Sequence, residues 1–151
     1  MSDIIISPIG SEAILESCAQ LLVDAYNAEP WNDNWTTGKA LEKLTCFYRS
    51  PKFLGWTASR DGQLLGCCVG NIEPYFTGDY FYLKEMFVPL AAQRQGIGAR
   101  LMENLKAHLD SIGIGTIILF TGKDVFPFNF YLKKGFQEME NMRMMHFGAT
   151  E

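Results

Sequence analysis

Between Tyr80 and Leu101 the sequence joins a long strand pattern to an amphipathic helix pattern through a turn that few folds accommodate. Tyr80–Val88 alternates in the manner of a strand and stops at Pro89, which cannot continue a ladder. Gly98–Ile112 carries Leu101, Leu105, Leu109 and Ile112 on one stripe of a helix. The connection reads Gln93-Arg94-Gln95-Gly96-Ile97-Gly98. Glycines there let the backbone turn tightly, so that successive N–H groups aim at one point ahead of the helix N-terminus. Such a point attracts an anion, helped by the helix dipole. Arg94 and Arg100 add positive charge. Two familiar nucleotide motifs are excluded. A dinucleotide fingerprint needs a third glycine where Leu101 stands, and a P-loop needs Gly-Lys-Ser/Thr.

The rest of the chain supplies elements to surround this unit. Ile4–Ser7 reads as a first strand. Ser11 can cap a helix with Ile14, Leu15, Cys18, Leu21, Leu22 and Ala25 on one face. Thr36 or Thr37 caps a second helix carrying Leu41, Leu44 and Tyr48, stopped by Ser50-Pro51. Phe53–Ser59 and Gln63–Ile72 flank Asp61-Gly62, a strong hairpin signal. Thr116–Phe120 reads as a short buried strand, and Phe126–Lys134 as a short helix ended by Gly135. Phe136–Phe147 is expected to add a last strand or hairpin. The order is β-α-α-β-β-β-α-β-α-β, without linker or repeat. It fits one domain over residues 1–151, of α/β (α+β) class, with helices covering a mixed sheet.

Composition narrows the class. With 151 residues the chain can bury a core without disulfides or metals. A net charge of -4 argues against nucleic acid as a partner, which requires a basic footprint. Cys18, Cys46, Cys67 and Cys68 form no CxxC pair and read as reduced thiols. No leader and no membrane-length apolar run is visible, so a cytoplasmic protein that does not meet the membrane is expected.

Gln93-x-x-Gly96-x-Gly98, set between strand and helix, resembles the pyrophosphate-binding motif of the GNAT superfamily of acyl-CoA N-acyltransferases. The segment Phe130-Tyr131-Leu132-Lys133-Lys134-Gly135-Phe136 resembles that superfamily's second signature, a tyrosine in a short helix followed by Gly-Phe. The resemblance implies a mostly antiparallel sheet of six to seven strands with about four helices, splayed on either side of the helix that follows the loop. It implies acetyl-CoA as co-substrate, with the N–H groups of Arg94, Gln95, Gly96, Ile97, Gly98 and Ala99 on the pyrophosphate. It also implies that Met86, Phe87 and Val88 line the pantetheine arm. The family commonly has Asn seven residues and Ala four residues before its tyrosine. Here Asp124 and Pro127 stand there, so the pantetheine contact is left between Asp124 and Asn129.

Acyl transfer to an amine needs a base, because an alkyl amine of pKa about 10 is protonated at neutral pH. In Phe81, Leu83, Glu85 and Phe87 one carboxylate interrupts an apolar row. A buried charge is costly, so Glu85 reads as the base, as the structural partner of an arginine, or as part of a row that faces solvent. Glu73 and Asp79 are alternative bases. The resemblance implies that a backbone N–H at Phe87 or Val88, freed by a bulge at the strand end, would hold the oxyanion. It implies further that Tyr131 would protonate the leaving thiolate. His108 lies on the apolar stripe about 15 Å from the phosphate end and reads as a core or boundary residue. His146 has no evident partner, and no metal site is expected.

The acceptor is expected against two segments that mix aromatics with carboxylates: Glu29, Trp31 and Asp33 in one, Glu73 and Tyr75 in the other. Both suit an ammonium through charge and cation–π contact, and both also suit ordinary lids over a core. Small aminoglycoside-, polyamine- or amino-acid-like amines fit, as does a peptide or lysine amine. The alternatives are a longer acyl group or a non-catalytic CoA-binding module. The Met139, Met142, Met144 and Met145 run suits internal packing or the edge of a homodimer.

Overall fold

The computed structural model describes residues 2–123 and 126–149. Residues 1–120 form one compact unit and residues 121–151 a second. In the first, β1 (Ile5–Pro8) leads through a short 3-10 turn, Glu12–Ile14, into α1 (Leu15–Tyr26) and α2 (Thr37–Tyr48). Then come β2 (Phe53–Arg60), β3 (Gln63–Glu73), β4 (Tyr80–Phe87), α3 (Ile97–Ser111) and β5 (Ile117–Leu119). Asp61 and Gly62 take φ of 52 and 80, the two-residue hairpin geometry that matches strand twist, and so join β2 to β3. Thr36 caps α2, its hydroxyl accepting from the Lys39 N–H at 3.1 Å. Ser11 makes no such bond, and the 3-10 turn stands where it was expected to start a helix.

The strands lie in chain order, with β1 to β4 antiparallel and β4 to β5 parallel. Helices α1 and α2 cover one face. Leu15, Cys18, Leu22, Ala40 and Leu44 pack there with Cys67, Val69 and Phe87. Helix α3 covers the other face, since a Cβ on Gly66 would meet Ile97 and Leu101. Leu101, Leu105 and Leu109 are buried as the stripe requires, each worth roughly 2–3 kcal/mol relative to exposure. Ile112 lies past the helix end and is exposed.

The middle of β4 departs from regular alternation. Val69 pairs with Glu85 but Gly70 pairs with Leu83, so Lys84 is an extra residue, a bulge. Cross-strand partners share a face. Phe81 and Leu83 therefore follow Gly70 to the α3 side, while Glu85 and Phe87 follow Val69 and Cys67 to the α1 and α2 side. The single row Phe81, Leu83, Glu85, Phe87 read from the sequence is thus two half-rows on opposite faces. The bulge also lies before Glu85, upstream of the Phe87–Val88 position expected for it.

In the second unit α4 (Phe126–Lys133) ends at Gly135, whose φ is 92. Tyr131 packs edge-on against Phe130 and Phe136, at 5.3 and 5.4 Å between ring centres. The described residues from 136 onward hold no strand, so the sheet has five described strands where six to seven were expected. Interleaved Glu138, Glu140, Asn141 and Arg143 leave neither face of that run uniformly apolar. A strand also exists only by pairing with an edge. Met142, Met144, Met145 and Phe147 are exposed, against the expected internal packing.

Candidate active site

Glu85 is the centre of the arrangement. Its side chain is 15% exposed and stands on β4 just after the bulge. The Tyr26 hydroxyl, at the end of α1, donates to Oε2 at 3.0 Å and lies 3.4 Å from the Met86 carbonyl oxygen. From α2, Lys43 Nζ approaches Oε1 at 3.2 Å. The same ammonium stands 5.1 Å from the ring centre of Trp35 and 5.8 Å from that of Phe47. Trp31 meets Tyr26 edge-on at 5.8 Å, and Phe87 meets it at 6.0 Å. A carboxylate held by a phenol and an ammonium, with the rings of Trp35 and Phe47 flanking that ammonium, is chemistry suited to ammonium groups.

The structure thus gives Glu85 a cationic partner, as one of the alternative readings had it, but a lysine in place of an arginine. Sequence reasoning missed Tyr26, Lys43 and Phe47. The available signal was the Lys43–Phe47 spacing of four, which puts both on one helical face with the last residue of the preceding loop close by. Tyr26 had no signal beyond its place at the end of an apolar stripe.

At the other end of this segment, a 3-10 turn at Leu90–Ala92 precedes the loop. Gln93 Nε2 donates to the Val88 carbonyl at 2.9 Å, and Gln95 Oε1 accepts from Arg60 at 2.6 Å. These side chains brace the loop. Gly96 caps α3 in the left-handed region at φ 75, preceded by Arg94 at φ 65. Beyond its chain neighbours, no atom lies within 4 Å of where a Gly96 Cβ would point. Ile97 turns its side chain into the core, leaving only its N–H for the loop. The first N–H groups of α3 have no acceptor within the helix. Arg100 points back instead, donating to the Ile4 carbonyl at 3.2 Å.

Strands β4 and β5 pair only over Phe81–Leu83 with Ile117–Leu119. Past Leu83, β4 runs four residues further without β5, so its edge from Lys84 to Phe87 is open on that side. The splay was expected between these two strands, and their pairing ends at Leu83 and Leu119. An open strand edge leading to a helix N-terminus fits a long thioester carrier with a pyrophosphate at one end. The Phe87 side chain is buried against Cys67, so this residue has only its backbone to offer such a carrier.

The remaining expected residues are divided. Trp31 reaches the Glu85 cluster through Tyr26. Asp33 accepts from Trp35 Nε1 at 3.1 Å, and Glu29 is exposed in the same loop. Glu73, Tyr75 and Asp79 gather elsewhere. Glu73 accepts a short bond from the Tyr80 hydroxyl, which raises that phenol above its ordinary value. Asp79 accepts from the Tyr75 N–H at 3.2 Å. Tyr80 opens the strand and Glu85 lies five residues on, about 16 Å along it. His108 stacks edge-on against Trp56, as a boundary histidine. Among the described residues no group of three ligating side chains could hold a metal. Tyr131 and Asn129 sit on α4 in the second unit, and Asp124 lies outside the described residues.

The family model described as the acetyltransferase (GNAT) family matches residues 15–136. The chain belongs to that family. This GNAT acyltransferase has no match among curated proteins. Its fold is similar to that of aminoglycoside N-acetyltransferase AAC(6')-Iy in complex with CoA, at a TM-score of 0.76 and 16% identity. That match covers 99% of this chain and 97% of the other. An aminoglycoside acetyltransferase from an uncultured soil metagenomic sample, in complex with sisomicin, matches at 0.74 and 18% identity over 97% of each chain. A transcriptional regulator from Bacillus halodurans C-125 matches at 0.76 and 20% identity, over 96% of this chain and 100% of that one. The GNAT family uses acetyl-CoA. Among the described residues no helix is long and apolar enough to cross a membrane.

Proposed function

We propose that this GNAT protein is an acetyl-CoA-dependent N-acetyltransferase for a small cationic primary amine, which attacks the thioester directly. The observation that carries this reading is the Glu85 carboxylate, largely buried on β4 and held by the Tyr26 hydroxyl and by the Lys43 ammonium that Trp35 flanks. Glu85 takes the proton of the acceptor amine. The first-turn N–H groups of α3 and those of Arg94, Gln95 and Gly96 hold the pyrophosphate. The open edge at Met86–Val88 takes the pantetheine and offers a backbone N–H to the oxyanion, and Tyr131 protonates the departing thiolate. Asn129 is the described candidate for a pantetheine contact. The acceptor lies over Trp31, Glu29 and Asp33, and the two aminoglycoside acetyltransferases of like fold support a polyamine-like or aminoglycoside-like molecule. The family match crosses from one compact unit to the other, which supports one functional domain over 1–151. Four free cysteines suit the reducing cytoplasm.

Calorimetric titration with acetyl-CoA, with NADH as the control, tests the cofactor. Micromolar binding of acetyl-CoA alone is expected. Gly96→Glu, which puts a side chain and a negative charge into the left-handed turn, should weaken that binding at least about 100-fold. Equal affinity in the variant would return the loop to an ordinary turn. Thiol release across a panel of amines then separates an enzyme from a module that only binds CoA.

A further inference from the structure

The carboxylate expected to deprotonate an acceptor already holds an amine of the same chain. We infer that Lys43 is itself an acetyl acceptor, modified in cis by its own active site; this rests on the proposed function. Lys43 Nζ is 3.2 Å from Glu85 Oε1, within the distance for direct proton transfer. Its backbone is fixed in the middle of α2, so only side-chain torsions position the nitrogen. Its side chain is 34% exposed, against 67% for Lys39 one turn earlier, and the rings of Trp35 and Phe47 confine it. Lys39 spends its charge on Glu42, and Lys84 lies over the Tyr82 ring at 3.6 Å. Because the amine belongs to the fold, its transfer is unimolecular once acetyl-CoA is bound, whereas an external acceptor must first bind.

The Lys43 ammonium gives one proton to Glu85, and the freed lone pair attacks the carbonyl carbon of the acetyl thioester. The C–N bond forms as the C–S bond breaks. Tyr131 protonates the departing thiolate to give CoA thiol; the second nitrogen proton passes to water, from which Tyr131 regains its own, and Glu85 returns its proton to solvent. The product is a neutral Nε-acetyl-lysine that cannot ion-pair. Acetylation therefore frees the Glu85 carboxylate for an external ammonium, and a site first filled by its own lysine becomes available to substrate.

The purified protein is incubated with acetyl-CoA alone and analysed by intact mass and tryptic mapping. One acetyl group is expected, carried on an Ala40–Arg49 peptide left uncut at Lys43. Its first-order rate should not change with protein concentration. Glu85→Gln should slow it at least about 100-fold at neutral pH, the loss typical of a missing base. Gly96→Glu, remote from α2, should abolish it. Acetylation spread evenly over Lys39, Lys52 and Lys84, or an unchanged rate in Glu85→Gln, would overturn the inference. Titration and thiol release are run on the same preparation. Amine-dependent release with Lys43 unmodified removes the inference and leaves the proposed function standing. Absence of acetyl-CoA binding removes the function first.

Discussion

At the residue scale the decisive relation is between Glu85 and the groups that reach it from two helices. Tyr26 and Lys43 fix the carboxylate from opposite oxygens, so its orientation is set before any acceptor arrives. Glu85→Gln keeps the shape and removes the proton acceptor. Its rate with an alkyl amine should fall about 100-fold at neutral pH, where nearly all the amine is protonated. The loss should shrink as pH rises toward the amine's own pKa of about 10, since the free amine then needs no base. A loss of the same size at every pH would make Glu85 a positioning residue held by Lys43. Glu85 was legible in the sequence as a charge in an apolar strand, but its surroundings were not. Tyr26 and Lys43 lie 59 and 42 residues from it, and nothing local in the chain marks such a meeting.

At the element scale the Lys84 bulge does most to build the site. It turns Glu85 to the face where α1 and α2 pack, whereas unbroken alternation would have kept it beside Leu83 under α3. Gly70 makes this possible from the neighbouring strand. A Cβ there would come within 2.1 Å of the Tyr82 carbonyl oxygen and 2.6 Å of the Phe81 ring. Backbone cannot yield as a flexible side chain can, so Gly70→Ala should cost about 2 kcal/mol or more, read as a lower denaturation midpoint in urea. An unchanged midpoint would mean that β4 can move off β3 freely. The bulge was expected three to four residues further along, at Phe87 or Val88, because a bulge is a property of paired strands. Leu83 and Gly70 must be opposite each other before Lys84 becomes surplus.

At the scale of the whole molecule, burial decides which groups react with solvent. Cys18, Cys67 and Cys68 are buried, and Cys46 is exposed. Burial pushes the Cys68 thiol up to about 12, and Cys67 is raised as well by its hydrogen bond with the Cys18 thiol and by burial. The thiolate is the reactive form, so at neutral pH these two remain protonated as well as covered. An aromatic disulfide reagent should therefore titrate one thiol quickly in the native protein and all four after unfolding. A second thiol reacting as fast as Cys46 would show that the core between α1 and β3 opens readily. The sequence by itself determined most of the elements, the Asp61-Gly62 hairpin, the tight turn at Gly96 ahead of α3 and the family, because each rests on residues close together in the chain. Only the tertiary structure decided which face Glu85 takes and that Lys43 meets it. It also decided that the Glu73 cluster stands at the far end of β4 and that the Met-rich run after α4 forms no strand among the described residues. Those depend on register and on the partners each strand finds, quantities that exist only when distant segments are brought together.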